Sequence, residues 1–481
     1  GVLHGADIHA EAMTVRYPLP SFLPGTPIGE RSFAGIKNVV RVFARNGHYF
    51  AVDEHDNVIC QDSPTACIQE SILYANSKGG GVVKLRGKFY LSQSVQVSNI
   101  SNIDIVGENA ELVAPVNGPP WSILYISSAS SLRIRNIKFN GNKSNLPTAN
   151  YTSQRALYNL IQIYSSTGII IEGNEIYNAL AAGLALIQTS YSVIKGNYVH
   201  DNGTSSLPSD GMYSYQGQYN SYVGNVIANV TDTGIANDDP QYLTIVGNVI
   251  VNPGVQGISL YAADQYTASH SVVAGNVIYQ GGRGIVIGGP YNLDTAMITG
   301  NSIIHQSISG IELSNASHIS IADNAIRYAG QQNILIGSSW WGNYTCYNVV
   351  IKNNIITDSN GINIVTASSL VDIIRNKIIY NSASQKPYSI TGPATIEGNI
   401  YNDINTGNTY YDENSGVATM PANATSVTVN HGLISTPSKV LITPGGNLGT
   451  CYVSSITSTS FTITCSTAPS ANTPIYWYAE V

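Results

Sequence analysis

An apolar-x-Gly-Asn-x-apolar signature recurs through most of the chain, as in VIKGNYV, SYVGNVI, IVGNVI and VAGNVI. Its Asn falls at Asn174, Asn197, Asn225, Asn248, Asn276, Asn301, Asn324, Asn354, Asn376 and Asn399, in steps of 22 to 30 residues. A fixed period of this size is the mark of a solenoid, in which each repeat buries its apolar face only against its neighbours. Within a repeat, pairs such as Ile285 and Ile287 alternate with other residues, the in-and-out pattern of a strand. The Asn between apolar positions suits a sharp bend, because Asn tolerates left-handed backbone angles. Asn side chains at equivalent bends can also hydrogen-bond up and down the stack. A Gly-Ile-x-Leu/Ile element follows each variable loop, at Gly234, Gly257, Gly284, Gly310 and Gly361, with looser copies at Gly183 and Gly211. Three short strands per turn predict an all-β chain built as a right-handed parallel β-helix of about ten to twelve rungs. The Leu-x-x-Leu-x-Leu pattern of leucine-rich repeats is missing, and so is the 3.6-residue period that helical repeats need.

The ends of the chain differ from this middle. Residues 1–35 are Pro-rich and read as an arm. Asn46-Gly47 between two alternating runs predicts a hairpin, so residues 1–60 form an arm and a β-hairpin. Ser63 as N-cap with Pro64 at the first helical position starts a helix whose apolar face is Ile68, Ile72 and Leu73, and Gly79–Gly81 stops it. Such a helix covers the open end of a solenoid spanning residues 61–412. From residue 413 to 481 the period is gone, and the SVTVNHGL…SFTITCS…WYAEV text reads as a C-terminal β-sandwich module. It suits capping or homo-oligomer assembly ahead of glycan binding, since His431 alone makes no site.

Composition narrows the partners. Net charge is −7, charged residues are 11 %, and no basic run is present, so nucleic acid is excluded as a partner. No apolar stretch of ~20 residues exists, so no membrane span is expected. Two disulfides, Cys60 with Cys67 and Cys451 with Cys465, fit the five cysteines better than a metal site and leave Cys346 over. They favour a secreted, extracellular protein, with weaker support from the Asn-x-Ser/Thr sequons. No signal peptide is visible, and a chain that begins at Gly1 without Met reads as processed or trimmed.

The head segment, from Cys67 through Gly79-Gly80-Gly81 and Val82–Leu85 to Leu91, together with the repeats, resembles the pectate-lyase-like right-handed parallel β-helix superfamily. That superfamily holds hydrolases, lyases, epimerases, tailspikes and adhesins, so the fold alone does not name an activity. The resemblance places the Gly-Ile-x-Leu elements on one sheet whose outward side chains form a groove. Asp210, Asp232, Asp238, Asp239 and Asp264 fall there within three consecutive rungs, in a chain poor in charge. Carboxyls this close repel, which raises some pKa values as a general acid requires. The competing reading is that Asp fills turns by bonding backbone N–H groups, and it weighs most for Asp239 and Asp264.

A narrower resemblance is to family 28, the polygalacturonase-like hydrolases. Their Asn-Thr-Asp-Gly, Gly-Asp-Asp and Gly-His-Gly motifs correspond here to Pro208-Ser209-Asp210-Gly211, Thr231-Asp232-Thr233 and Val255-Gln256-Gly257. The resemblance implies that Asp210 helps activate water and Asp232 is the general acid. The second Asp of the pair is Thr233 and the His is Gln256, so Asp238 or Asp239 is the candidate replacement carboxylate. The uronate-gripping Arg-Ile-Lys has no counterpart, which puts uronate specificity in doubt. Tyr213, Tyr215, Tyr261, Arg283, Glu312, Trp340 and Trp341 are the candidate substrate-binding residues, because flat rings stack on sugars and polar groups hold them. The expected function is a secreted, endo-acting glycoside hydrolase with a polysaccharide substrate and no cofactor. One alternative is a lyase or epimerase that uses Arg283, with Lys195 nearby, and Ca²⁺. The other is a non-enzymatic glycan-binding fibre, adhesin or tailspike-like protein.

Overall fold

The structure, a computed structural model, describes residues 38–481 apart from 149–150, 152–154, 265–267, 340–341, 359, 365–367, 381–387, 391–393 and 404–407. The expected arm at 1–35 and the Trp340-Trp341 pair therefore lie outside the described residues. A twelve-stranded, wholly parallel sheet runs from Val95–Ser98 to Tyr388–Ile390, and it carries the Gly-Ile-x-Leu elements. A 27-stranded sheet forms the rest of the solenoid wall. Three columns of side chains fill the interior. Met212, Ile235, Ile258 and Ile285 form one, Ile227, Ile250, Ile278 and Ile303 another, and Ile194, Tyr222, Ile245 and Val273 the third, and all of them are fully buried. Fully burying one such side chain contributes about 1.5–3 kcal/mol.

The repeating Asn is a ladder. Each Asn side-chain N–H donates to the side-chain oxygen of the next, as in Asn225 to Asn248 and Asn248 to Asn276, both at 2.9 Å. The backbone N–H of each Asn donates to the same oxygen, at 2.9 Å in both of these pairs. The series runs unbroken from Asn174 to Asn399 and ends on the buried carboxylate of Asp412, which accepts from Asn399 Nδ2 at 2.6 Å. The expectation that these Asn residues take left-handed backbone angles is corrected. The residue before each does so, usually glycine, as at Gly196 (φ 61°) and Gly247 (φ 65°). That glycine makes the bend and frees the Asn to point inward, where its amide satisfies buried backbone groups.

At the N-terminal end, Val39–Arg45 and His48–Val52 form the expected hairpin, with Asn46 (φ 52°) and Gly47 (φ 80°) in the turn. Val39–Arg45 also pairs in parallel with Gly81–Tyr90, so the solenoid sheet begins before residue 61. The helix spans Ile68–Ser77 and buries Ile68, Ile72 and Ala75 over the core, while Leu73 points outward and is exposed. Its N-cap is Cys67, not Ser63. Ser63 Oγ instead accepts the Cys67 N–H at 2.8 Å across a tight turn in which Ala66 and Cys67 are both left-handed. Both expected disulfides are present, and Cys346 is a buried free thiol.

The C-terminal module consists of two three-stranded antiparallel sheets around Met420, Phe461, Ile463 and Ile475. His431 is fully buried there and accepts the Leu433 N–H through Nδ1 at 3.0 Å, a structural role. Among the described residues no helix is long and apolar enough to cross a membrane.

Candidate active site

The cleft lies on the outward face of the twelve-stranded sheet, where Met212–Tyr215, Thr233–Asp238 and Gln256–Tyr261 pair side by side. It has a volume of about 400 Å³. Asp210, Asp232 and Asp238 line it with Tyr213, Gln256, Ser259 and Tyr261. Met212 pairs with Ile235, so two residues earlier Asp210 stands level with Thr233, and Asp232 sits one residue off that line. The Thr233 N–H donates to Asp210 Oδ1 at 3.2 Å, and the Thr233 hydroxyl donates to Asp232 Oδ1 at 3.4 Å.

Burial pushes both Asp210 and Asp232 above the usual carboxylate range, and the charge of Asp232 raises Asp210 further. Two such groups titrate as a pair, and the pair holds one proton well above the range where an exposed Asp loses it. Asp238 is pushed up to about 6 by burial, against the Tyr213 hydroxyl that donates to it at 3.0 Å. Raised carboxyls are what the clustering of Asp predicts, but their main cause is burial rather than repulsion.

One residue of this site carries no sequence signal. Arg155 reaches over the cleft from the short 3-10 helix Arg155–Tyr158 and places Nη2 3.4 Å from Asp210 Oδ2. Its loop is an insertion between two rungs, held by a small separate core of Trp121, Tyr151, Tyr158, Leu180 and Ala181. Trp121 stacks on Tyr158 with ring centroids 4.2 Å apart. The guanidinium favours charge on both carboxyls, while the Thr233 N–H favours it on Asp210 and the Thr233 hydroxyl on Asp232.

Other candidates lie elsewhere. Asp239 is a turn residue (φ 51°) whose Oδ1 accepts the N–H groups of Ala263 and Asp264 at 2.8 and 3.0 Å. Tyr215 does not line the cleft; its hydroxyl donates to Asp264 at 2.7 Å. Arg283 and Glu312 also stand outside it, in a buried ion pair with Nε 2.9 Å from Oε1. Lys195 is on the other sheet, paired with Glu172 at 2.9 Å, and so is not near Arg283 as a base would need. His200 ends the strand Tyr198–His200 and His305 is a left-handed turn residue (φ 59°), and both stack on tyrosines. Among the described residues no group of three or more His, Cys, Asp or Glu is placed to hold a metal ion.

Comparison with known proteins agrees with this architecture. The family described as right handed beta helix region matches residues 122–294. The fold is a right-handed parallel β-helix. The A-module of mannuronan C-5 epimerase AlgE4 from Azotobacter vinelandii is similar at TM-score 0.54 and 17 % identity, over 69 % of this chain and 95 % of that one. The tailspike protein of E. coli bacteriophage HK620, solved with a pentasaccharide, is similar at TM-score 0.50 and 12 % identity, over 89 % of this chain and 92 % of that one. At such identities the likeness is one of fold. No curated protein sequence matches the chain.

In this β-helix the raised carboxyls cost stability. Asp238 ionises near 6 when folded and near 3.8 when unfolded. The folded chain therefore holds the extra proton between those values, and stability falls as pH rises through that window. Asp238→Asn removes the cost while keeping an acceptor for Tyr213. The variant should melt above the parent near pH 8 and level with it near pH 4. Equal melting at both values would show that Asp238 is not held against its charge.

Proposed function

We propose that this β-helix is a secreted polysaccharide-degrading enzyme, an endo-acting glycoside hydrolase. The observation that carries the reading is the pair Asp210 and Asp232, two carboxyls sharing a proton in one cleft with Arg155 on the first of them. Asp232 is the general acid that protonates the glycosidic oxygen. Asp210, whose charged form Arg155 favours, orients and deprotonates the attacking water with the aid of Asp238. Tyr213 and Tyr261 offer ring surface to the sugar, and Gln256 and Ser259 offer hydrogen bonds. The two disulfides support an extracellular setting. Glycans also belong to the two similar structures, one named for mannuronan and one solved with a pentasaccharide, which favours the same ligand class here. A lyase reading needs a basic side chain as base. The cation on this cleft is Arg155, which sits on an Asp, and Arg283 is engaged with Glu312.

Asp232 is one residue off the line of Asp210, so about 3.3 Å of lateral offset adds to a rung of about 4.8 Å. At right angles the two give about 5.8 Å between the backbones, which lies between the ~5–5.5 Å carboxyl separation of a retaining hydrolase and the ~6.5–9.5 Å of an inverting one, so it is the water-activating role given to Asp210 that calls for inversion. A glycan panel should release reducing ends without the ultraviolet-absorbing unsaturated ends of a lyase product. Proton NMR of the first-formed product should show the anomer opposite to the substrate's. Retained configuration would remove the assigned roles, and unsaturated ends would replace hydrolase by lyase. Release of neither would leave the binding-protein alternative.

A further inference from the structure

A second surface lies on the turn that follows the cleft strands. Tyr191, Tyr219, Tyr242 and His270 occupy one position in four successive rungs, all with left-handed backbone (φ 55°, 55°, 51° and 53°). Their rings stack into a ladder with centroids 4.8, 4.6 and 4.9 Å apart and planes within 15° of parallel. Stacking covers both faces of the inner rings and one face of Tyr191. The residue on the other side of Tyr191 is Gly168, since Thr167 bridges Ser190 in parallel and the Gly168 N–H donates to the Ser190 carbonyl at 3.1 Å. Gly168 has no side chain to cover the ring, and Tyr191 is 48 % exposed, against 43 % for Tyr242, which is stacked on both faces.

Backbone geometry does not require that glycine. Its φ of 66° is close to the angles at which the next four rungs carry Tyr, Tyr, Tyr and His. A Cβ there would meet nothing nearer than the Ser131 backbone N, 3.6 Å away. The turn accepts a large ring, and a glycine leaves one ring face uncovered and rigidly backed. Beside the ladder, on the cleft side, runs a second column, of uncharged side chains. Ser165 Oγ donates to Gln188 Oε1 at 3.4 Å, and Gln188 Nε2 donates to Gln216 Oε1 at 3.1 Å. Gln216 Nε2 in turn donates to the Tyr215 hydroxyl at 3.0 Å and to Asp264 Oδ2 at 3.3 Å, which links this column to the strand beside the cleft and ends it on a carboxylate.

We propose that the open face of Tyr191 above Gly168 is a glycan-binding site separate from the cleft, taking the apolar face of a pyranose ring in an uncharged polysaccharide. A flat ring with one free face recognises a flat apolar patch, and the flanking hydroxyls and amides recognise a ligand rich in hydroxyls. An acidic polymer gains nothing from these uncharged side chains. The site goes beyond the cleft's proposed chemistry and does not depend on it.

The test is native affinity electrophoresis of the full chain carrying Asp232→Asn, so that the polymer in the gel is not cut. The gels hold barley β-glucan, xylan, galactomannan or dextran, with polygalacturonate as the acidic arm. At least one neutral polymer should retard the protein. Tyr191→Ala and Gly168→Tyr, each added to that protein, should weaken retardation by that polymer about ten-fold. Tyr191→Ala keeps the test valid if Gly168→Tyr misfolds. In the parent chain neither change should alter the rate of reducing-end release from a short soluble oligosaccharide. Retardation by no neutral polymer, retardation unchanged by both substitutions, or a change only in self-association on a sizing column would overturn the proposal. Loss of hydrolysis in the parent with Tyr191-dependent retardation intact would sink the reading of the cleft and leave this site standing.

Discussion

Asp232→Asn should lower the rate of glycan cleavage by about 10³-fold, within the range that a positioned general acid supplies. Asn has nearly the shape of Asp and keeps an acceptor for the Thr233 hydroxyl, so the cleft should retain its form. It lacks the proton that must reach the departing sugar oxygen. The loss should fall on kcat, because protonation of the leaving group is an event of the transition state. Asp210→Asn should cost a similar factor by removing the charge that pulls a proton from water, and the double variant should be little worse than either single one, since the two act as a unit. The parent's rate should fall on the alkaline side as the pair gives up its shared proton. Burial raises both groups and the charge of Asp232 raises Asp210 further, so that limb lies above the range of an ordinary Asp. Initial rates of reducing-end release give both results. A folded Asp232→Asn protein within ten-fold of the parent would remove Asp232 from the role of acid.

How much of this was legible in the sequence depends on the physical demand at each position. The Asn at 174 through 399 are readable because every rung needs the same amide in the same buried place. The Gly-Ile-x-Leu elements are readable for a similar reason. A Cβ at Gly234 would stand 2.6 Å from the Gly257 carbonyl oxygen, and one at Gly257 would stand 2.7 Å from that of Gly284, so close contact between rungs excludes a side chain. The clustering of Asp210, Asp232 and Asp238 follows from the same repeat, because residues one period apart must come together. What the repeat does not govern was not legible. Arg155 sits in an insertion with its own small core, and nothing periodic connects residue 155 to residue 210. The pairing of Arg283 with Glu312 joins two different outward columns one rung apart, so rung spacing alone did not match them. The left-handed bend fell to the glycine rather than the Asn because an Asn turned into the core satisfies more polar groups than one spent on the turn.

Asn248→Ala should destabilise the solenoid by about 4 kcal/mol, a large value for a single polar residue. Asn248 Oδ1 accepts from both the backbone N–H and the side-chain Nδ2 of Asn225, each at 2.9 Å. Its own Nδ2 donates to the Tyr222 carbonyl and to Asn276 Oδ1, also at 2.9 Å. Alanine removes these four bonds, and a longer one from Nδ2 to the Val246 carbonyl at 3.3 Å, from a site that water does not reach, since Asn225, Asn248 and Asn276 are fully buried. Two donors of Asn225 and the carbonyl of Tyr222 are left without these partners, and each unsatisfied buried group costs about 1–3 kcal/mol. A small cavity adds to the loss. Each rung contacts only its neighbours, so the weak point is local, and unfolding in denaturant should begin there and spread over a broader transition than in the parent. Asn252→Gly supplies the contrast, because Asn252 has a left-handed backbone (φ 53°) that Ala resists and Gly accepts. Asn252 Nδ2 also donates to another Asn, Asn229, at 3.1 Å, but on the surface where water takes over the bond. Its removal should change stability by less than about 0.5 kcal/mol. Equal effects from the two substitutions in urea unfolding would mean that the buried ladder is not what joins the rungs.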